Sequence, residues 1–408
     1  MDNRVVITGM GIHSCIGNNL EEVTQSLFEG KSGIVFDQER KEFGFQSALT
    51  GKIDRPELKK LLKRRQRISM GEESEYAYLA TIEALENAKI DLDFFDHNEV
   101  GLIYGNDSVS KSIIEATDIM REKRDTALIG SGAIFKSMNS TVTMNLSTIF
   151  KMRGVNMTIS AACASGSHSI GLAYLMIKNG LQDMVIAGGA QEVNKYAMSS
   201  FDALGVFSPD EENPTAACRP FDSTRNGLIP SGGGATLIIE SYASAKKRGA
   251  PIIAEILGYG FSSNGGHIST PNVVGPATAM RKALKQANLE PKDIEYINAH
   301  ATSTPIGDAN EAQAILDVFG ENGPFVSSTK SMTGHECWMA GASEVIYSTL
   351  MMQNNFIAPN INFKEGDEKT NKVNIVNKTI KKDFDIYLSN SFGFGGTNSA
   401  LILRKLIE

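Results

Sequence analysis

The chain reads as an α/β protein, layered and built from two pseudo-repeated halves. Short apolar runs of strand character alternate with segments of helical spacing along most of its length, the order expected of a sheet covered by helices. The clearest runs are Met184 to Ala187, Ala235 to Ile239 and Ile252 to Leu257, apolar as in strands covered on both faces. Two passages also echo one another. Ala84-Leu85-Glu86-Asn87-Ala88, an acidic loop and a strand from Val100 into Asn106-Asp107-Ser108 share a plan with a later passage. That passage is Ala283-Leu284-Lys285-Gln286-Ala287, an acidic loop and a strand from Ile294 into His300-Ala301-Thr302. Strand, small-residue turn and helix, from Met157 to Gly180, recur as Phe325 to Phe356. A join near Lys246 to Pro251 follows, giving an N-terminal half over 1–248 and a C-terminal half over 249–408.

The N-terminus opens on Asp2 and Arg4 and runs straight into a strand, Val5 to Thr8, with no charged-then-apolar leader. The next turn, Gly9-Met10-Gly11, is not a dinucleotide fingerprint, because Ser14 stands where the third glycine belongs. Asn18 to Glu29 reads as a surface helix. Residues 49–70 are densely charged, with Lys59-Lys60 and Lys63-Arg64-Arg65, and read first as a solvated helix face; a docking patch for an acidic carrier protein is the sharper reading. From Glu73 the spacing is helical up to the strand Val100 to Tyr104. Residues 205–234 hold Pro209, Pro214, Pro220, Pro230 and three consecutive glycines, an ordered loop of the kind that lines a site. Phe384 to Leu403 is strand, glycine-rich turn, strand.

At 408 residues, 41% hydrophobic and 21% charged, the composition is that of a soluble globular protein with a large core. A net charge of -7 argues against a nucleic-acid binder, which needs a basic face. Four cysteines, Cys15, Cys163, Cys218 and Cys337, show neither a CxxC pair nor zinc-ligand spacing and suit a reducing compartment. No apolar run reaches the roughly 18 to 20 residues that cross a bilayer. A soluble, cytoplasmic protein is expected.

Four stretches have the composition of an active site. In the first, Ser160 to Gly166, a small-residue turn places Cys163 at or near a helix start, where unpaired N–H groups and the helix dipole favour the nucleophilic thiolate. The plain alternative is a buried structural cysteine. The second, Asn298 to Pro305, sets His300 at a strand end among hydroxyl residues, either as a hydrogen-bonding catalyst or as a structural histidine. The third, Ser328 to His335, carries Lys330 and His335 with Glu344 on the following helix; Lys330 alone would read as a surface charge. In the fourth, Asn390 to Asn398, glycines either form a hairpin turn or let backbone N–H groups reach a developing oxyanion.

Together these stretches resemble the β-ketoacyl-acyl-carrier-protein synthases, condensing enzymes of the thiolase superfamily. Cys163 falls in the nucleophile motif, His300 in an HGTSTP-like motif, and Lys330 and His335 in a KxxxxGH-like motif. NSFGFGGTN is an unbroken match, and RPFDSTRNGLIPSGGG is similar to the type I branch. The resemblance implies the duplicated α-β-α-β-α thiolase-like fold and an acyltransferase of fatty acid biosynthesis. Cys163 would take an acyl chain, and His300 and His335 would stabilise the enolate formed as malonyl-carrier protein loses carbon dioxide. Backbone N–H groups of Cys163 and Phe394 would form the oxyanion hole, and Lys330 and Glu344 would position the histidines. The resemblance further implies that Thr302 and Thr304 hold the pantetheine arm, that Phe394 is the gate, and that Phe392 and Asp107 contact substrate. It implies a monovalent-cation site at Asn298, Glu344, Ser389 and Asn390. No cofactor is expected beyond the phosphopantetheine that the acyl carrier protein brings. A homodimer is expected, a heterodimer being the alternative. A polyketide or aryl-polyene ketosynthase and a non-catalytic partner subunit are the competing functions, the latter disfavoured by the intact Cys163, His300, Lys330 and His335. Ala301 departs from the usual glycine of the motif, and Glu336-Cys337-Trp338-Met339 replaces small apolar residues, so the acyl chain is the property those departures touch.

Overall fold

Ten strands of the computed structural model, which describes residues 4–406 and so leaves Asp2 outside, form one sheet. In chain order they are β1 (Val5–His13), β2 (Gly101–Gly105), β3 (Asn156–Ile159), β4 (Met184–Gln191) and β5 (Gly233–Ser241). The second half repeats them as β6 (Ala254–Ser263), β7 (Tyr296–Asn298), β8 (Phe325–Ser327), β9 (Ile386–Gly393) and β10 (Thr397–Lys405). The spatial order is β8-β7-β9-β10-β6-β1-β5-β4-β2-β3. Inward from each edge, β3-β2-β4-β5-β1 mirrors β8-β7-β9-β10-β6. In each half the outer three strands run parallel and the inner pairs antiparallel. The halves join through a short antiparallel pairing, Val5–Ile7 against Ala254–Ile256.

Six helices complete the layers: α1 (Glu72–Asn87), α2 (Thr141–Phe150), α3 (Ser165–Lys178), α4 (Val274–Ala287), α5 (Pro305–Phe319) and α6 (Ala340–Gln353). Helices α3 and α6 pack on each other between the two half-sheets, α1 and α2 cover the outer face of the first half, and α4, with α5 against it, covers the second. This is the α-β-α-β-α thiolase-like arrangement. Every residue of α6 from Ala340 to Met352 is buried, as a helix covered on all sides must be, and its serines and threonines close hydrogen bonds onto the backbone, Thr349 Oγ1 to Val345 O at 2.8 Å for one.

The glycines of β1 have a packing reason. A Cβ on Gly11 would stand 2.1 Å from Ala80 O of α1, and one on Gly260 of β6 would stand 1.9 Å from Ala279 O of α4. Glycine in the strand and alanine in the helix let sheet and helix approach closely in both halves. The pair Gly9 and Gly11 therefore serves the core, and β1 continues through it to His13. The charged stretch forms a 3-10 turn, Leu58–Lys60, and a one-turn helix, Arg64–Arg67, with Lys59, Lys60, Lys63, Arg64 and Arg65 exposed. The chain passes from one half to the other through a helix, Tyr242–Arg248.

Candidate active site

Cys163 sits in the turn between β3 and α3, within one 3-10 turn, Ala162–Ala164. Ala162 holds φ at +46°, a left-handed backbone that only a small side chain tolerates cheaply. Ser165 fastens the turn: its Oγ accepts from the Ala161 N–H at 2.9 Å and donates to Ala162 O at 2.7 Å. Small residues are required because three elements converge here. A Cβ on Gly105 would lie 2.5 Å from Gly166 N, and one on Gly166 would lie 2.9 Å from Trp338 O.

The expectation that the helix start favours a thiolate needs correction. Cys163 is buried, and desolvation pushes its thiol up to about 12, against the opposing pull of the Lys330 charge and of N–H groups from Phe394 and Cys163 itself. Cys163 lies two residues ahead of the first residue of α3, so the dipole acts at a distance while burial acts directly. Those two N–H groups are the donors expected of an oxyanion hole.

His300 follows β7 in a loop clamped by α5. Its backbone N–H donates to Glu311 Oε1 at 2.9 Å and that of Ala301 to Glu311 Oε2 at 2.6 Å; Asp308 accepts from the N–H groups of Thr302 and Ser303 at 3.0 and 3.2 Å. Burial raises Glu311 to about 7 and Asp308 to about 6. Sequence reasoning missed both carboxyls. The signal was a Thr304-Pro305 helix start with acidic residues in the turns after it.

His335 meets His300 edge to face, ring centroids 5.3 Å apart at 86°. The Cys337 N–H donates to His335 Nδ1 at 3.3 Å, so in the neutral ring the proton sits on Nε2, which is buried and has no partner. Burial, with the Lys330 charge, drives both histidines well below their ordinary pKa and keeps them neutral. Lys330 is fully buried, not a surface charge, and its Nζ bonds Glu344 Oε1. Burial lifts Glu344 to about 7 against that pairing.

A cavity of about 450 Å³ opens onto Cys163, His300 and His335, and Thr302, Thr304, Phe392 and Phe394 also line it. Thr302 Oγ1 and Thr304 Oγ1 are 3.1 Å apart on its wall, and Phe392 packs 5.7 Å from the His300 ring. The expected loop over 205–234 ends at 232, just before β5, and contributes Val206, Phe207 and Leu228. The hairpin and site readings of the fourth stretch both hold, since β9 and β10 form a hairpin whose turn carries Phe394. Lys330 and Glu344 are not on the cavity wall. Asp107 is also outside that lining. Its carboxylate accepts from Ser160 Oγ, three residues before Cys163, and its charge raises the Cys163 thiol.

Asn298 and Ser389 pair across β7 and β9, and Asn298 Nδ2 reaches Glu344 O at 3.5 Å. Glu344 Oε2, Ser389 Oγ and Asn390 Oδ1 are buried without hydrogen-bond partners. Glu344 Oε2 and Ser389 Oγ, where β9 meets α6, fit a monovalent cation; Asn390 turns to the opposite face of β9, its Nδ2 donating to Glu311 Oε1 at 3.1 Å, and would reach such an ion only through its backbone. Among the described residues no group of three or more His, Cys, Asp or Glu is arranged to hold a metal ion.

Two family models match in order: the beta-ketoacyl synthase N-terminal domain over residues 2–245 and its C-terminal domain over 253–364. The chain is 42% identical to 3-oxoacyl-[acyl-carrier-protein] synthase 1 of Escherichia coli strain K12 over 406 residues, 99% of each chain. Its fold matches a beta-ketoacyl synthase from Burkholderia phymatum with a TM-score of 0.93 at 36% identity, covering 99% of this chain and 100% of that one. It also matches a type II PKS ketosynthase, solved in complex with its acyl-carrier protein, at a TM-score of 0.90 and 29% identity over the full length of both chains. Two matched domains and a full-length relative above 40% identity say the same thing as the cavity: the chain belongs to the β-ketoacyl synthase family.

Proposed function

We propose that the protein is a 3-oxoacyl-carrier-protein synthase of fatty acid biosynthesis, an acyltransferase with Cys163 as nucleophile. The observation that carries this reading is the convergence of the Cys163 thiol and two neutral imidazoles on one cavity.

In the first half-reaction the sulfur of Cys163 attacks the thioester carbonyl of an acyl-carrier protein. The carrier's thiol leaves, and the cysteine thiol's proton leaves with it. The N–H groups of Cys163 and Phe394 stabilise the oxyanion on the way; losing one such donor costs about 100- to 1,000-fold. Malonyl-carrier protein then binds, with Thr302 and Thr304 on its pantetheine arm. As the malonyl C–C bond breaks and carbon dioxide departs, its electron pair passes into an enolate whose oxygen accepts hydrogen bonds from His300 and His335. The His335 donor is Nε2–H, the tautomer that the Cys337 N–H imposes. The enolate carbon attacks the acyl thioester on Cys163 and the thiolate is released. The buried Lys330 cation, anchored on Glu344, favours that thiolate and holds the histidines neutral. A monovalent cation held by Asn298, Glu344, Ser389 and Asn390 would fix the hairpin and the Glu344 side chain. The chemistry calls for no cofactor beyond the carrier's phosphopantetheine.

The relatives support acyl carrier protein as partner, and the exposed basic run Lys59 to Arg65 suits an acidic one. We assign a homodimer closed through the open edge of β3, where Met157 is 44% exposed; Ile113, Phe135 and Met138 of the same half are exposed as well. No helix among the described residues is long and apolar enough to cross a membrane, and the unpaired cysteines suit the cytoplasm.

The test is intact mass spectrometry after acyl-carrier substrates, then malonyl-carrier protein. An acyl adduct that is absent in Cys163→Ala and discharges to a 3-ketoacyl product is expected. A protein that takes no adduct from any chain would instead be the non-catalytic subunit of a heterodimer.

A further inference from the structure

We propose that Trp338 is a specificity-determining residue: it fills the space behind Phe201 and Cys337 and thereby restricts the enzyme to short acyl chains on Cys163. This rests on the condensing reaction proposed above and adds the class of chain that the site accepts.

Trp338 is the only tryptophan of the chain and is buried in one apolar cluster with Cys163, Met198, Phe207 and Cys337. Its ring lies 6.0 Å from Phe201, which stacks in turn on Phe394 with centroids 6.5 Å apart. Phe201, Phe394 and Cys337 face the cavity; Trp338 does not. It stands one layer back, where a lengthening chain would otherwise displace Phe201.

The indole is poorly placed to yield. Trp338 O accepts from the Gly166 N–H at 3.1 Å, which ties its backbone to the start of α3. A Cβ on Gly189 of β4 would lie 2.7 Å from the same oxygen, so only glycine leaves room for it. Helix and sheet thus brace the Trp338 backbone from two sides. Cys337 just before it holds φ at +46°, a backbone that few side chains adopt freely. The indole Nε1 is buried with no hydrogen-bond partner, so packing alone sets the ring's position.

Because that N–H has no partner, Trp338→Phe leaves no acceptor orphaned and keeps an aromatic in the cluster, so it is the conservative variant; Trp338→Ala opens the space fully. The experiment measures kcat/KM for a series of saturated acyl-carrier substrates with wild type, Trp338→Phe and Trp338→Ala, with mass spectrometry of the Cys163 adduct in parallel. Both variants are expected to shift the profile toward longer chains, Trp338→Ala by about tenfold in the ratio of two substrates differing by two buried methylenes. Wild type supplies an independent readout, because tryptophan emission should change on acylation and change most with the longest chain accepted. Folded variants that acylate Cys163 with an unaltered chain profile would overturn the proposal. So would wild-type emission indifferent to every chain, which decides the matter even if neither variant folds. Failure of wild type to form any adduct is a different result and removes the condensing reaction itself.

Discussion

The two halves share a strand order and a helix plan, yet they carry different chemistry. After β2 the first half places Asn106, buried, with its Nδ2 donating to Asn139 O at 2.9 Å; after β7 the second half places His300 at the cavity. After β3 the first half needs only residues 160–164 to reach its central helix and puts Cys163 there. After β8 the second half spends residues 328–339 on the same passage and carries Lys330, His335 and Trp338 on it. In the proposed reaction one half supplies the nucleophile on a tight turn. The other supplies the charge and the hydrogen-bond donors on longer loops clamped by buried carboxyls. Duplication gives two equivalent strand ends facing one space, and loop length decides what each presents.

The most severe way to break the comparison is to remove the nucleophile. Cys163→Ala should abolish the acyl adduct and lower condensation at least about 1,000-fold, while leaving the fold intact; a folded variant that still condenses at wild-type rate would move the nucleophile elsewhere. On the other half, Lys330→Ala strands the Glu344 carboxylate in the core, where both partners are 1% exposed. Breaking a buried pair in this way costs about 3–5 kcal/mol. A large loss of activity and a fall in thermal midpoint are expected together, with Glu344→Gln milder on stability.

The shared architecture can be tested where chemistry is absent. Gly11→Ala and Gly260→Ala each drive a methyl group into a helix carbonyl, and neither glycine has a positive φ, so only space is at stake. Each should destabilise by about 1–3 kcal/mol with activity per folded enzyme retained. Equal costs measured by denaturant unfolding support the duplicate packing; a silent substitution in either half breaks it.

Glu336 sharpens the contrast in a different way. It directly follows His335, is buried, and accepts from Ser343 Oγ and from Tyr347 OH at 2.8 Å; burial raises it from 4.5 to about 8. A carboxyl whose folded pKa is raised keeps a proton that the unfolded chain has released. Its contribution to stability is therefore full below about 4.5 and declines as pH rises to about 8. Glu336→Gln should flatten the loss of thermal midpoint between those pH values. An unchanged pH profile would mean that Glu336 is ionised in the fold.

What the sequence disclosed and what it withheld divide along the same physical line. Cys163, His300, Lys330, His335 and Phe394 were legible because each sits in a local pattern of small or hydroxyl residues that a tight turn requires. The paired passages were legible because alanines at Ala84 and Ala283 face glycines in neighbouring strands. Glu311 and Asp308 were not, since their work depends on α5 folding back over the loop that precedes it. The thiol of Cys163 was misjudged for a similar reason: desolvation is contributed by residues distant in sequence, among them Trp338 and Phe207. The contact of Asp107 with Ser160 was not legible either, because a strand-end residue can turn toward either neighbour.

The smallest expected effect concerns the exposed basic run, which has no matching cationic run at the corresponding place in the second half. Lys63 and Arg64 lie at the start of a short helix and are exposed. Reversing both charges should leave stability within about 0.5 kcal/mol, because surface substitutions of this kind rarely do more. If the run steers an acidic carrier protein, the doubly reversed variant should show a several-fold higher KM for carrier-bound substrate, with kcat nearly unchanged. Rim charges act on encounter and are screened by salt, so the difference from wild type should shrink as ionic strength rises. A substrate analogue bearing the pantetheine thioester without the carrier should not distinguish the two proteins. Equal KM values for the carrier-bound substrate at low salt would return Lys63 and Arg64 to the role of a solvated face, and leave carrier recognition to another surface.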